Sequence, residues 1–322
     1  MSPFVSFVIP VRNDAARLDR CLRTIRANDY PAERVEIVVV DNGSVDDSPA
    51  VAARHNAHLL SMPGPRVGAL RNIGVRSAKG ELIAFVDADH EIVLDWIRSA
   101  VTVLADDKVG AVGADCTPPA NGTKVQQLYD RLRRHSEGQF EVDWLGSGNM
   151  AVRRSAFDAV AGFDTSLETC EDVDLCRKLK GAGYKVVSNS RLGNTHYGDP
   201  ESLRRVFFGE LWRGRDNLRV SLRRPRSWRT LTSAFIPIFN IGALAILAVG
   251  LLSGSTAGRL AGLAAGIMVV TQISLRATRM TMPDRSRDWV PAWGVSAAYE
   301  LGRAFAVISR IGHGKRRQDA PA

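Results

Sequence analysis

The chain has 322 residues, 45% of them apolar, and a formal net charge of +9. This apolar share excludes a disordered chain, and the length allows one α/β domain of about 200 residues plus a smaller region. The charge is unevenly distributed, because residues 1–200 carry 24 basic and 27 acidic side chains whereas residues 201–232 carry 9 and 3. A basic surplus beside uncharged segments indicates contact with anionic lipid. The sequence contains no motif that reads nucleic acid, so no nucleic-acid partner is expected.

The N-terminus and the cysteines indicate a cytoplasmic domain. Residues 1–4 lack a basic stretch and the apolar run after them stops at Pro10, so neither a signal peptide nor an initial membrane span is predicted. The four cysteines form no Cys-x-x-Cys pair. We therefore expect free thiols in a reducing compartment.

Strand–helix units repeat along the first 90 residues. Apolar β-rich runs predict strands at 4–9, 36–40, 57–61 and 82–87. Helical spacing of apolar residues predicts helices at 14–25, 49–54 and 67–78. Such repeats predict the α/β class, with a mostly parallel sheet covered by helices on both faces and ligands bound beyond the carboxyl ends of the strands.

The loops at that edge of the predicted sheet are 10–14, 41–44 and 87–90. None contains the glycine pattern of a dinucleotide-binding turn or of a phosphate-binding P-loop, which disfavours a Rossmann dehydrogenase or a P-loop ATPase. The third loop instead holds Asp87 and Asp89, directly after a buried strand. Their carboxylates can converge on one hard divalent cation, although a solvated turn with a helix cap would use the same residues.

Five short motifs occur in a fixed order between residues 4 and 200. They are Val8-Ile9-Pro10-Val11-Arg12-Asn13, Asp41-Asn42-Gly43-Ser44, Arg71-Asn72-Ile73-Gly74, Asp87-Ala88-Asp89 and Glu171-Asp172-Val173-Asp174-Leu175. Together they resemble the family 2 glycosyltransferases, which have the GT-A fold, an α/β/α sandwich that binds a nucleotide-sugar. The resemblance implies an inverting enzyme that moves a sugar from a nucleotide-sugar, here expected to be a UDP-sugar, to an acceptor hydroxyl.

The resemblance also assigns the donor site. Asp89 corresponds to a ligand of Mg²⁺ or Mn²⁺, and Asp87 lies at the metal or at the ribose. Asp41 corresponds to the residue that contacts the base or ribose, although it could be only a turn residue. The loop lining the nucleotide would contain Pro10, Arg12 and Asn13, and the cation near the base and diphosphate would be Arg71.

The remaining positions concern the base, the third metal ligand and the acceptor. Asp172, with Glu171 as the second choice, corresponds to the general base, and neighbouring acids should raise its pKa. The same residues could be only the acidic first turn of a helix. His196 corresponds to a histidine that completes the metal site in many members. The resemblance assigns contact with the acceptor or donor sugar to Trp144, Gly148 and Asn149.

The sequence departs from processive polysaccharide synthases of this family. Those enzymes carry Gln-x-x-Arg-Trp after the base, whereas residues 209–215 of this chain read Gly-Glu-Leu-Trp-Arg-Gly-Arg. Transfer of a single sugar is therefore favoured.

The last third of the chain is predicted to attach the enzyme to the cytoplasmic membrane. Residues 234–252 carry no charge and residues 257–275 carry only Arg259, and each segment is long enough to cross a bilayer. Arginines lie before the first segment and after the second, so the positive-inside rule predicts a hairpin with the catalytic domain facing the cytosol. The alternative is a buried helical hairpin in a soluble domain.

These patterns divide the chain into a catalytic domain (1–200), a basic amphipathic segment (201–232), a two-span hairpin (233–276) and an interfacial helix with a basic tail (277–322). Residues 289–311 are apolar but contain Glu300 and Arg303, which favours a helix lying at the interface over a third span. The expected function is transfer of one sugar to a lipid-linked or saccharide acceptor in cell-envelope or exopolysaccharide synthesis. A sugar nucleotidyltransferase of similar fold and a catalytically silent membrane scaffold are the alternatives.

Overall fold

The structure is a computed structural model that describes residues 2–133, 137–224, 228–282 and 287–309. These residues form two compact units. The first contains residues up to 119 and from 137 to 198, and the second contains residues 120–133 and those from 199 onward. The predicted basic tail at 315–317 lies outside the described residues, as does Arg226 of the basic segment.

The first unit is built on ten strands. They are β1 (Val5–Val11), β2 (Val35–Asp41), β3 (His58–Ser61), β4 (Leu82–Val86), β5 (His90–Ile92), β6 (Val109–Gly113), β7 (Gln139–Glu141), β8 (Asn149–Arg153), β9 (Lys185–Asn189) and β10 (Asn194–His196). Its helices are α1 (Ala15–Arg26), α2 (Ser48–Arg54), α3 (Val67–Ser77), α4 (Trp96–Leu104), α6 (Arg154–Ala159) and α7 (Glu171–Gly181), with a 3₁₀ turn at Ala32–Arg34.

Eight of these strands form one sheet in the order β3-β2-β1-β4-β8-β6-β9-β7. Strands β3, β2, β1 and β4 are parallel, as are β6 and β9, whereas β8 and β7 are antiparallel to their neighbours. Strands β5 and β10 form a separate antiparallel pair. The predicted mostly parallel α/β sheet is thus confirmed, and four parallel strands bring the loops after β1, β2 and β4 to one edge.

The apolar runs of the strands supply a core on each face of the sheet. Successive side chains point to opposite faces, so Phe7 and Ile9 pack with α1 and α4 on one side while Val8 packs with α3 and α7 on the other. Because both faces are covered, β4 is buried along its whole length. The predicted strand at 82–87 ends one residue earlier, at Val86, although the Asp87 amide still donates at 3.3 Å to the carbonyl of Gly148, which lies opposite it in the register of β4 with β8.

The second unit is helical. It contains α5 (Lys124–Arg133), α8 (Leu203–Arg213), α9 (Asn217–Ser221), α10 (Trp228–Leu252), α11 (Thr256–Thr281) and α12 (Trp289–Ser309). Two stretches are long and apolar enough to cross a membrane, Thr230–Leu252 and Thr256–Thr281, with mean hydropathies of 2.4 and 1.5. Within the described residues, helix α12 is not among the helices that are long and apolar enough to cross a membrane. Its Glu300 pairs with Arg276 of α11 at 2.7 Å.

Candidate active site

Two side chains predicted from the sequence, Asp89 and His196, form a cluster with His90 beyond the carboxyl end of β4. Asp89 Oδ2 lies 3.2 Å from His196 Nε2, and Asp89 Oδ1 lies 3.7 Å from His90 Nε2. One ligand atom from each residue lies within 4.8 Å of those of the other two. One carboxylate and two imidazoles are a donor set that suits Mn²⁺ and also accommodates other divalent cations. The residues therefore fit the divalent cation that the resemblance implies.

The pairing of β5 with β10 creates this cluster. The antiparallel register sets His90 directly opposite His196, with ring centroids 4.4 Å apart. The amide of Tyr197 also donates to the Asp89 carbonyl at 2.9 Å, which ties the two chain segments together beside the carboxylate. His90 is a candidate ligand that the sequence analysis missed. Its position directly after Asp87-Ala88-Asp89 was the available signal. The three-residue strand β5 leaves no local pattern, because its partner strand β10 lies about 100 residues further along the chain.

Asp89 is held in its charged form. Burial raises the pKa of this carboxyl, but the hydrogen bond and the charge of His196, with a further contribution from His90, lower the pKa by more and leave it below its usual range. Gly198 provides the space for this arrangement, because a Cβ there would lie 2.0 Å from Asp89 Oδ2 and 2.8 Å from His196 Nε2. The carboxylate is therefore available as an anionic ligand at neutral pH.

Asp87 is not a member of the cluster and is paired with Arg71. The Arg71 Nη2 atom donates to Asp87 Oδ1 at 2.7 Å, and its Nη1 atom donates to Glu171 Oε1 at 2.8 Å. The guanidinium is buried and lies 5.6 Å from the centre of the Phe163 ring. The sequence predicted Arg71 as the cation near the base and diphosphate, and that role stays a prediction. In the structure Arg71 bridges two acidic motifs. Asp87 is thereby oriented by Arg71, which its sequence position alone did not reveal.

Asp172 occupies the first turn of α7, beside Glu171. Its Oδ2 accepts from the Ser147 amide at 3.3 Å and its Oδ1 accepts from the Val173 amide at 2.8 Å. Burial raises the pKa of this carboxyl to about 7, with a further increase from the charge of Glu171. The predicted influence of neighbouring acids is therefore present but secondary to desolvation. A carboxyl with a pKa near neutrality can both accept and release a proton at working pH.

The loops after β1 and β2 are connected to each other. Asn13, in a left-handed conformation with φ of 53°, accepts from the Val45 amide through Oδ1 at 2.8 Å, and its own amide donates to Ser44 Oγ at 2.9 Å. Asp41 is buried and accepts from the Ser44 amide at 3.1 and 3.2 Å. Asp41 therefore stabilises the turn after β2, as the alternative interpretation expected. The same hydrogen bonds hold its carboxylate at the end of the strand. Pro10 lies within β1, and Arg12 is exposed just beyond it.

The glycine-rich segment that leads into β8 differs from the sequence interpretation at Asn149, the first residue of that strand. Gly148 is required by the protein itself, because a Cβ there would lie 2.9 Å from Asp87 Oδ2 and 3.0 Å from the His90 ring. Asn149 is buried: its Oδ1 accepts from the Trp96 indole at 2.7 Å and its Nδ2 donates to the carbonyls of Ala114 and Leu192. Asn149 is therefore a positioning residue, not an acceptor contact. Trp144 is 43% exposed and remains available to a sugar.

The chain is similar in sequence to known glycosyltransferases. Residues 6–160 match the family model described as glycosyl transferase family 2. Glycosyltransferase AglE of Haloferax volcanii is 29% identical over 65% of this chain and 69% of its own length. A pre-mycofactocin glycosyltransferase of Mycobacterium tuberculosis is 30% identical, over 56% of this chain and 40% of its own. A beta-monoglucosyldiacylglycerol synthase of Trichormus variabilis is 27% identical, over 55% and 41%.

A solved structure resembles almost the whole chain. It is the mannosyltransferase PcManGT of Pyrobaculum calidifontis, in complex with GDP-Man and Mn²⁺, with a TM-score of 0.68. The match covers 98% of this chain and 89% of that one, at 20% sequence identity. At this identity the similarity establishes the fold.

Proposed function

We propose that the chain is a membrane-anchored inverting enzyme of the family 2 glycosyltransferases, whose family model matches residues 6–160. It transfers one sugar from a nucleotide-diphosphate sugar to a lipid-linked acceptor. The observation that carries the proposal is the presence, in one unit, of a carboxylate–imidazole cluster and a carboxyl whose pKa is about 7. The cluster can hold a cation that stabilises the leaving diphosphate. The carboxyl can accept the proton of the acceptor hydroxyl.

The donor side of the reaction uses Asp89, His90 and His196 as the residues that would hold Mg²⁺ or Mn²⁺. When bound, the cation neutralises the negative charge that develops on the leaving diphosphate. We propose that Asp41 and the loop at 10–13 contact the nucleoside, with UDP as the nucleotide. Asp87, oriented by Arg71, supplies an acceptor for a ribose hydroxyl or a further oxygen near the cation.

The acceptor side uses Asp172. In the transfer, the acceptor oxygen forms a bond to the anomeric carbon as the bond from that carbon to the diphosphate breaks, and the acceptor proton passes to Asp172. Attack from the face opposite the leaving group inverts the anomeric configuration. A base with a pKa near working pH is efficient because it is largely deprotonated yet still basic enough to accept the proton. The exposed Trp144, four residues from the Gly148 carbonyl that binds Asp87, offers an aromatic face to the acceptor sugar.

The membrane proposal rests on the surface of α10 and α11. Only 22% of the most apolar stretch of α10 and 28% of that of α11 is buried. Such exposure of apolar side chains argues against the core hairpin of a soluble domain. At about 1.5 Å per residue, 23 and 26 helical residues exceed the roughly 30 Å hydrocarbon thickness of a bilayer. Arg276 and Arg279 lie near the end of α11, which supports a cytosolic position for that end.

A lipid-linked acceptor follows from tethering. A catalytic domain joined by a short chain segment to a membrane hairpin meets membrane substrates at a raised effective concentration, whereas a soluble acceptor gains nothing. The name of one relative, beta-monoglucosyldiacylglycerol synthase, denotes a glycosylated lipid. It supports, for this chain, a lipid acceptor.

The experiment uses the full chain in lipid vesicles with a panel of UDP- and GDP-sugars, Mn²⁺ or Mg²⁺, and a lipid-phosphate acceptor. Release of nucleoside diphosphate together with a glycosylated lipid is expected. Asp89→Ala should abolish metal-dependent nucleotide binding in a folded protein, while Asp107→Ala, a change at a 94% exposed side chain, should not. Release of pyrophosphate from a nucleoside triphosphate would instead identify a nucleotidyltransferase, and a lack of any metal-dependent nucleotide binding would identify a scaffold.

A further inference from the structure

A cavity lies within the helical unit, lined by residues between 214 and 307. It has a volume of about 260 Å³ and opens to solvent. Its polar lining includes Arg215, Arg219 and Arg303, and its apolar lining includes Leu218, Ala234, Pro237 and Val307. We call it the arginine pocket.

Pro237 helps to build the arginine pocket. Proline has no amide hydrogen, so within α10 the carbonyl of Ser233, four residues earlier, lacks its helical donor. The Asn217 side chain donates to this carbonyl at 2.8 Å, and Arg303 Nη2 donates to it at 3.4 Å and to Ser233 Oγ at 3.0 Å. Two lining residues from α9 and α12 are thus fixed against α10. Gly214 permits the close approach, since a Cβ there would lie 2.6 Å from Ala306 Cβ.

The lining is mainly apolar, and three side chains that carry guanidinium groups contribute to it. Guanidinium groups bind phosphate oxygens through directed, charge-assisted hydrogen bonds. Arg303 also lies 3.6 Å from Glu210, so part of its charge is compensated. The opposite wall of leucine, alanine, proline and valine offers no hydrogen-bond partner to a polar ligand. It suits a hydrocarbon chain attached to the phosphate.

The position of the pocket along α10 selects a lipid over a soluble phosphate. Ala234 and Pro237 lie four and seven residues into the apolar stretch that begins at Thr230. At about 1.5 Å per residue these positions are roughly 6 and 10 Å from its start, the depth at which headgroups meet acyl chains. A volume of 260 Å³ is below the roughly 300–1,000 Å³ of a pocket that encloses a whole ligand, so only a headgroup and the first chain carbons fit.

We propose that the arginine pocket binds the phosphate headgroup of an anionic membrane lipid, with the start of its hydrocarbon chain against the apolar wall. This inference rests on the proposed membrane insertion of α10. Basic pockets beside membrane helices on the cytoplasmic side recognise lipid headgroups in this way. Bound lipid would fix the junction between α9 and the hairpin at headgroup depth.

The test is native mass spectrometry of the full chain in detergent micelles, titrated with phosphatidylglycerol, phosphatidylcholine or glycerol 3-phosphate. The double variant Arg215→Gln and Arg219→Gln removes two charges from the pocket and leaves the partly buried Arg303 in place. The matched control is Arg204→Gln with Arg205→Gln, which removes the same charge from exposed positions on α8. Ala234→Leu fills the pocket without changing its charge, and if this variant does not fold, the charge pair decides the question.

The expected result is tight binding of one phosphatidylglycerol, weakened roughly thirtyfold in the pocket variant, the effect of losing two basic contacts near a membrane surface. The control pair should bind as the natural chain does. Equal loss in both pairs would overturn the inference, because it would show diffuse surface attraction. Equal binding of phosphatidylcholine or of glycerol 3-phosphate would overturn it too.

Membrane insertion is measured separately, by resistance of membrane-bound protein to alkaline carbonate extraction. Protein that is released by carbonate contradicts both the membrane proposal and this inference. Protein that resists extraction but binds phosphatidylglycerol equally well with and without Arg215 and Arg219 contradicts the inference alone. Donor hydrolysis by the same samples reports on the catalytic unit independently.

Discussion

Arg71 and Glu171, 100 positions apart in the sequence, form a buried ion pair in which Arg71 Nη1 donates to Glu171 Oε1 at 2.8 Å. The same guanidinium holds Asp87, so one side chain aligns the acidic motif after β4 with the acidic motif that begins α7. Both motifs are therefore held in place by one buried cation.

Replacing Arg71 by methionine should destabilise the protein and shift its pH dependence. Removal of one partner leaves the carboxylates of Glu171 and Asp87 without their compensating cation, at a cost of about 3 kcal/mol in unfolding free energy. Since the charge of Arg71 lowers the pKa of Asp172, its loss should move the inflection of the activity profile to higher pH. Chemical unfolding in micelles and a pH–rate profile measure the two effects. Arg76→Met, an exposed change on the same helix, should alter neither.

Asp172→Asn should lower kcat by roughly a hundredfold or more and leave donor affinity nearly unchanged, because the amide cannot accept the acceptor's proton. In the natural chain, activity should rise with pH and level off above about 7, as Asp172 loses its proton. That inflection should be absent from the residual activity of the variant. Steady-state kinetics over a pH series measures it, with exposed Asp158→Asn as control. A loss confined to the donor KM would place the base elsewhere.

The same substitution should stabilise the fold at alkaline pH. The pKa of Asp172 rises from 3.8 in the unfolded chain to about 7 in the folded one, so the folded state binds more protons and stability falls as pH rises between these values. Asparagine removes the buried charge and keeps an oxygen for the Val173 amide. We expect an increase in unfolding free energy on the order of 2 kcal/mol at pH 8 and little change at pH 4. Thermal unfolding at the two pH values tests this difference, and an equal effect at both contradicts it.

Gly198→Ala should weaken Mn²⁺ binding without changing any charge. The new Cβ would overlap Asp89 Oδ2, so the carboxylate must rotate away from His196. Loss of this orientation should reduce metal affinity about tenfold or more, as other changes beside metal ligands do. Titration calorimetry with Mn²⁺ measures the affinity. Gly146→Ala, where a Cβ meets no atom within 4 Å, is the matched control and should bind metal normally.

Gly262→Leu should destabilise the helical hairpin. A Cβ at Gly262 would lie 3.1 Å from Gly250 Cα and 3.2 Å from the Leu247 carbonyl, so α10 and α11 meet here through small residues. A leucine forces the helices apart and should cost about 1–3 kcal/mol. Thermal unfolding of the full chain in micelles measures the change. Gly242→Leu, at an open position on α10, should be tolerated, and equal destabilisation by both would rule out a specific glycine contact.

The sequence by itself determined the α/β class, the parallel strands β1 to β4 and the strand ends that present Asp41, Asp87 and Asp89. These features are local: continuous apolar runs follow from burial on both faces of a sheet, and each run ends where polar residues begin. The acidic first turn of α7 and the two long apolar helices could be predicted for the same reason, because each is a pattern within one continuous segment of the sequence.

Tertiary structure alone decided which of these side chains meet. The pairing of His90 with His196, the bridge formed by Arg71, the space left by Gly198 and the inward orientation of Asn149 all join segments far apart in the chain. A strand register shifted by one residue would turn His90 away from His196, and no property of either segment fixes that register. The strand ends thus followed from local physics, whereas the partners of each carboxylate followed from the packing of the whole domain.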